Sequence, residues 1–111
     1  MGNNADSKKA KFATDAFPWI RIDKTHWICN KSIPVSKTDG KELSVKFVLV
    51  VNEVQDSVET PSEALYTWKV LYNGKDITLE STQKETASLY RAIGYCEGVF
   101  MAQKANIKKQ Q

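Results

Sequence analysis

Glycine-rich phosphate loops, clustered metal ligands and long apolar runs are all missing from this chain, and each absence removes a class of function. Neither G-x-x-x-x-G-K-S/T nor G-x-G-x-x-G occurs, so no loop is built to cradle a nucleotide's phosphates on backbone N–H groups. The single histidine, His26, and the two cysteines, Cys29 and Cys96, could not close a zinc site without a carboxylate such as Asp23. Their spacing matches no finger or ribbon, so no metal or other cofactor is expected. No apolar run approaches the ~20 residues that span a bilayer, and no charged-then-apolar leader opens the chain. A cytoplasmic protein is therefore the expectation, with both cysteines reduced and packed; a Cys29–Cys96 bridge would require export. Arginine is scarce too: of sixteen basic residues only Arg21 and Arg91 are arginine, and lysine makes poor bidentate contacts with phosphate or guanine.

What is present suits one domain. The chain has 111 residues, 41% of them apolar and 26% charged, enough for a single core without metal or disulfides. Residues 1–16 read as a flexible basic tail, 17–107 as the domain and 108–111 as a second flexible tail. Met1-Gly2 could begin a myristoylation signal, but Asp6 stands where that signal wants Ser or Thr. The formal charge of +3 is unevenly spread: +4 over residues 1–52, −4 over 53–86 and +3 over 87–111.

The most informative stretch runs from Leu65 to Ile107. Asn73-Gly74 favours a two-residue hairpin turn because both residues tolerate positive φ. The turn places Tyr72 opposite Lys75, Val70 opposite Ile77 and Trp68 opposite Leu79. Tyr66, Trp68, Val70 and Tyr72 then share an apolar face, while Thr67 and Lys69 share the other. A capping box at Thr82-x-x-Glu85 predicts the start of a helix. Along it, Leu89, Ile93, Cys96, Phe100 and Ile107 recur at helical spacing and should lie on the sheet.

Upstream, Phe17 to Asp23 opens the domain with a strand over Trp19–Asp23. Pro18 confines that strand to an edge, because proline supplies no ladder donor. Trp27-Ile28-Cys29 reads either as its continuation or as the next strand. Asp39-Gly40 marks a turn. Leu43, Val45, Phe47, Leu49 and Val51 alternate after it, and Val48 and Val50 make the opposite face apolar as well. That pattern predicts a central strand covered on both sides, with the N-terminal segment as the candidate cover. The expected fold is thus α+β: an antiparallel sheet of four to five strands with one long C-terminal helix packed on one face.

Several constellations could carry function. Gly94, Gly98 and Ala102 lie four apart on the helix and form a nearly side-chain-free stripe. It is expected to pack tightly on the protein's own sheet; the alternative is a helix–helix dimer or a partner's docking groove. The acidic loop Gln55–Ala64 offers Glu59 and Glu63 for a protein interface. Trp19, Arg21, Lys24 and Trp27, aromatic residues interleaved with base, could stack unpaired bases. Nucleophilic catalysis is not expected, since His26 and Cys29 lie three apart on an extended strand and point to opposite faces.

From Leu65 onward, strand, Asn73-Gly74-Lys75, strand and Ser81-Thr82-Gln83-Lys84-Glu85-Thr86-Ala87 resemble the second half of a double-stranded-RNA-binding domain. The resemblance covers some forty residues with generic motifs, and it implies that Lys84, at the family's phosphate-gripping position, could touch nucleic acid. The leading functional expectation is a small non-enzymatic protein-binding module, such as an inhibitor, adaptor or regulatory subunit. Its partner would be another protein, a second copy through the C-terminal helix included. The alternative is a nucleic-acid-binding protein acting through the basic aromatic strand and the Lys-rich termini; no membrane is expected.

Overall fold

The computed structural model describes residues 9–54, 65–78 and 85–109. Strands β1 (Ile20–Asp23), β2 (His26–Thr38), β3 (Lys41–Val54) and β4 (Leu65–Tyr72) form an antiparallel sheet in chain order. Two short strands, β5 (Lys75–Asp76) and β6 (Glu85–Thr86), share the outer edge of β4: β5 lies beside Leu71 and Tyr72, and β6 beside Tyr66 and Thr67. Among the described residues one helix, α1 (Leu89–Lys109), packs across β4 and β3. This is the α+β architecture expected, with six strands in five sheet positions.

Turn chemistry sets the register. Asp39 and Gly40 have φ of 54° and 76°, and Asn73 and Gly74 have 49° and 88°, the positive pair that a type I′ hairpin turn requires. The second turn is also tied to β3. Asn73 donates its backbone N–H to Lys46 O at 2.8 Å, and its side-chain Oδ1 accepts from Lys46 N–H at 3.0 Å. Tyr72 pairs with Lys75, and Ile77 N–H donates to Val70 O at 3.0 Å, so the register expected from Asn-Gly holds that far. Among the described residues the strand itself ends at Asp76. The Asp76 carboxylate accepts from Thr78 N–H at 2.8 Å, an Asx turn that competes with the ladder. Leu79, expected opposite Trp68, lies outside the described residues.

The helix begins later than the capping box implies. Glu85 and Thr86 are committed to β6, where they pair with Thr67 and Tyr66, and backbone groups in a ladder cannot also open a helix. Ser88 is the cap instead, its Oγ accepting from Arg91 N–H at 3.2 Å and its carbonyl from Ala92 N–H at 3.0 Å. Thr82 lies outside the described residues. At its other end α1 continues to Lys109, two residues beyond the expected limit at 107.

The core lies between the sheet and α1. Trp27, Cys29, Phe47, Leu49, Val51, Trp68 and Val70 come from the sheet, and Ala92, Ile93, Cys96 and Phe100 from the helix. Cys96 marks the closest seat. Its Sγ lies 3.6 Å from Val50 O and 3.7 Å from Lys69 O, so a small thiol rests on the carbonyls of β3 and β4. Rings fill the space on either side: Phe100 meets Phe47 edge-on at 5.2 Å and Tyr95 stacks on Trp68 at 5.4 Å, geometries aromatic pairs prefer.

Packing starts well before residue 17. Lys9 bridges to Ile20, and Ala10, Phe12, Ala13 and Phe17 pack against the core. Trp19 is fully buried, its indole N–H donating to Glu97 on α1 at 2.8 Å. This segment therefore extends the helix-side core. It does not cover the face of β3 that carries Val48 and Val50, which are half-buried; no described element packs there. The expectation that the N-terminal segment covers that second face is thereby corrected. The reason is that Phe12, Phe17 and Trp19 find partners in Tyr90, Phe100 and Glu97, all on the helix.

Candidate functional site

Two places outside the closed core hold side chains that folding alone does not use. The first is the outer face of α1. Gly94, Gly98 and Ala102 are all exposed, and a Cβ built on either glycine meets nothing within 4 Å. The expected packing of this stripe on the protein's own sheet is therefore corrected. Apolar side chains at 93, 96 and 100 already seat the helix, and the stripe lies on the opposite side. Exposed Met101, Ala105 and Asn106 continue this face, so from Gly94 to Asn106 no exposed position is charged. Glu97 and Lys104 fall in that interval but are half-buried at its margin.

The second place is a cleft of about 400 Å³ where the N-terminal segment, the sheet and the start of α1 meet. Its aromatic lining is Phe12, Trp27, Tyr66 and Tyr90. Trp27 and Tyr66 lie 6.1 Å apart between centroids, while Phe12 meets Tyr90 edge-on at 5.9 Å. Lys9, Lys11 and Arg21 supply cations, and Glu53 is the single carboxylate among the described residues. The Arg21 guanidinium lies over the Trp27 ring at 5.3 Å and donates to Asp23 O at 3.1 Å and Lys24 O at 2.8 Å. That stacked charge is fixed in place by the β1–β2 turn. Burial, and then the nearby Glu53 charge, push the Tyr66 hydroxyl up, against a smaller opposing effect of Arg21; at neutral pH this phenol stays a hydrogen-bond donor.

The basic aromatic strand does not present its tryptophan rings to solvent. Trp19 is fully buried and Trp27 is 5% exposed: Trp19, just before β1, is tied to Glu97 on α1, and Trp27 on β2 packs in the helix-side core. Arg21 is occupied by the turn, Lys24 is exposed, and Lys84, Glu59 and Glu63 lie outside the described residues. Comparison with known proteins adds no relative: no family model, no curated protein and no solved structure matches the chain. The double-stranded-RNA-binding resemblance stops at the order hairpin then helix, since no helix precedes β1 among the described residues.

The catalytic candidates are placed as structural parts. His26 Nδ1 sits 2.8 Å from Asp23 Oδ1, which also accepts from Thr25 N–H at 2.8 Å. These contacts close the two-residue β1–β2 turn. The Thr25 backbone hydrogen bond, and then His26, hold the exposed Asp23 carboxyl below its ordinary value. Cys29 and Cys96 are free and buried, and burial pushes their thiols up to about 11 and about 12. At neutral pH both are protonated and shielded, the opposite of a nucleophile's environment. Among the described residues no group of three or more His, Cys, Asp or Glu could hold a metal ion, and no helix is long and apolar enough to cross a membrane.

Proposed function

We propose that this protein is a small non-enzymatic protein-binding module that docks a partner protein on the outer face of α1. The observation that carries this reading is the make-up of that face. Gly94, Gly98, Met101, Ala102 and Ala105 are exposed in succession without a charged side chain among them, where a water-facing helix surface ordinarily carries charge. Glycine at two interior helix positions costs about 1 kcal/mol each relative to alanine. No internal contact offsets that cost here, because both sites open into empty space. A flat, uncharged surface that lets a second backbone approach gives the glycines a use. Met101, half exposed at its centre, adds an adaptable apolar contact.

The experiment is a nuclease-treated capture from the native host, with the parent chain and Gly98→Arg side by side, and light scattering of each purified chain. The parent should retain a protein partner, or a second copy of itself, at high salt. Gly98→Arg should melt at or above the parental temperature and lose that partner. Retention by both chains would refute docking on this face. Loss of the parent's partner on nuclease treatment, or steeply with salt, would favour nucleic acid instead.

A further inference from the structure

We propose that the cleft beside the start of α1 binds a nucleoside monophosphate, with its base against Tyr90, its phosphate on Lys9 and Lys11, and its exocyclic amino group on Glu53. This site goes beyond the docking face of α1 and stands on different residues. The size is right for one such molecule: about 400 Å³ lies within the range of small-ligand pockets. Six separate stretches of chain converge on it, and the apolar part of its wall is mostly aromatic. Tyr90 is 68% exposed while its ring makes a T-shaped contact with Phe12, so much of an aromatic ring with one neighbour in place is accessible for stacking. Base–aromatic stacking is sequence-tolerant because every base presents a π-face.

Charge selects the other end of the ligand. Among the described residues, Lys9, Lys11 and Arg21 against Glu53 leave two positive charges uncompensated. A single carboxylate, or a zwitterion such as a free aromatic amino acid, does not balance them. A phosphate monoester, carrying about −1.5 to −2 at neutral pH, does. No acidic side chain stands in the first turn of α1, so nothing there repels an anion. Glu53 then discriminates among phosphates. An ionised carboxylate only accepts hydrogen bonds, and it disfavours a ligand that is anion throughout. Cytosine, adenine and guanine carry an amino donor that matches it; uracil presents a carbonyl in the same place. The nearby Tyr66 hydroxyl is a further donor for a ring carbonyl or a ribose oxygen.

The 111-residue chain is titrated with CMP, UMP, cytidine and inorganic phosphate, followed by tryptophan fluorescence, since Trp27 lies in the cleft wall. CMP should bind saturably and more tightly than the other three. Tyr90→Ala should weaken CMP roughly tenfold, and Lys9→Gln with Lys11→Gln should reduce CMP to the level of cytidine. Glu53→Gln should shrink or reverse the preference of CMP over UMP, because an amide can donate to uracil's carbonyl. Tyr90, Lys9 and Lys11 are exposed, so thermal melts should show these variants folded. A 5′-phosphorylated dinucleotide that binds more tightly than CMP would identify the source as a strand end; one that binds more weakly would identify it as the free nucleotide. The proposal is overturned if CMP, AMP and GMP all fail to saturate, if phosphate or phosphotyrosine binds as well as CMP, or if folded Tyr90→Ala binds like the parent.

Discussion

The two sides of α1 differ in almost every respect. Its inner side carries Ile93, Cys96 and Phe100, which are nearly or wholly out of solvent and seat the helix on β3 and β4. Its outer side carries Gly94, Gly98 and Ala102, all exposed, and a Cβ built on either glycine meets nothing within 4 Å. A hydrophobic repeat and a small-residue repeat of the same spacing thus mean opposite things: one marks where a helix is held, the other a surface it leaves bare.

Four measurements would break or sharpen that contrast. The largest effect should come from Phe100→Ala, which removes a ring packed against both Phe47 and Phe17. A loss of about 3–5 kcal/mol is expected in denaturant unfolding, and a loss below that of a surface substitution would deny the inner face its role. Next, Cys96→Leu should cost about 1–3 kcal/mol by overpacking the seat between the Val50 and Lys69 carbonyls. The matching Gly98→Leu should leave the melt at or above the parent's. Equal losses in the two variants would erase the distinction between the faces.

Alkaline pH tests the inner face in another way. Burial raises the folded Cys96 thiol from an ordinary 9.0 to about 12, so its stability contribution is complete below pH 9 and is lost as pH climbs toward 12. While only the unfolded chain ionises, the slope is at most about 1.4 kcal/mol per pH unit. Unfolding free energies of the parent and Cys96→Ala, compared from pH 8 upward, should converge; parallel curves would show the thiol is not shielded. The smallest effect is a gain: Gly94→Ala and Gly98→Ala should each stabilise by about 0.5–1 kcal/mol, and a lower melt would mean that something already packs on the stripe.

The amino-acid order made some of this legible and hid the rest for definable reasons. Asn73-Gly74 and Asp39-Gly40 could be read because a turn needing two positive φ values admits few residue pairs. The alternation from Leu43 to Val51 could be read because one buried face imposes a period of two. The helix start was misplaced because Thr82-x-x-Glu85 satisfies a local capping rule, while Glu85 and Thr86 are claimed by a distant strand. The cleft was invisible, since Lys9, Phe12, Arg21, Glu53, Tyr66 and Tyr90 are spread over some eighty residues. Phe12 among lysines was the one local hint.

By itself, then, the sequence determined the α+β class, both hairpin turns, the strand periodicity and the apolar face of the helix, because each depends on neighbours within a few residues. Only the tertiary structure decided which way Trp19 and Trp27 turn, that Trp19 is tied to Glu97 across 78 positions, and that the glycine stripe faces outward. Those outcomes depend on which surfaces are consumed first when α1 meets the sheet. Local pattern records the existence of an apolar or a smooth face, and only the assembled packing settles what lies against it.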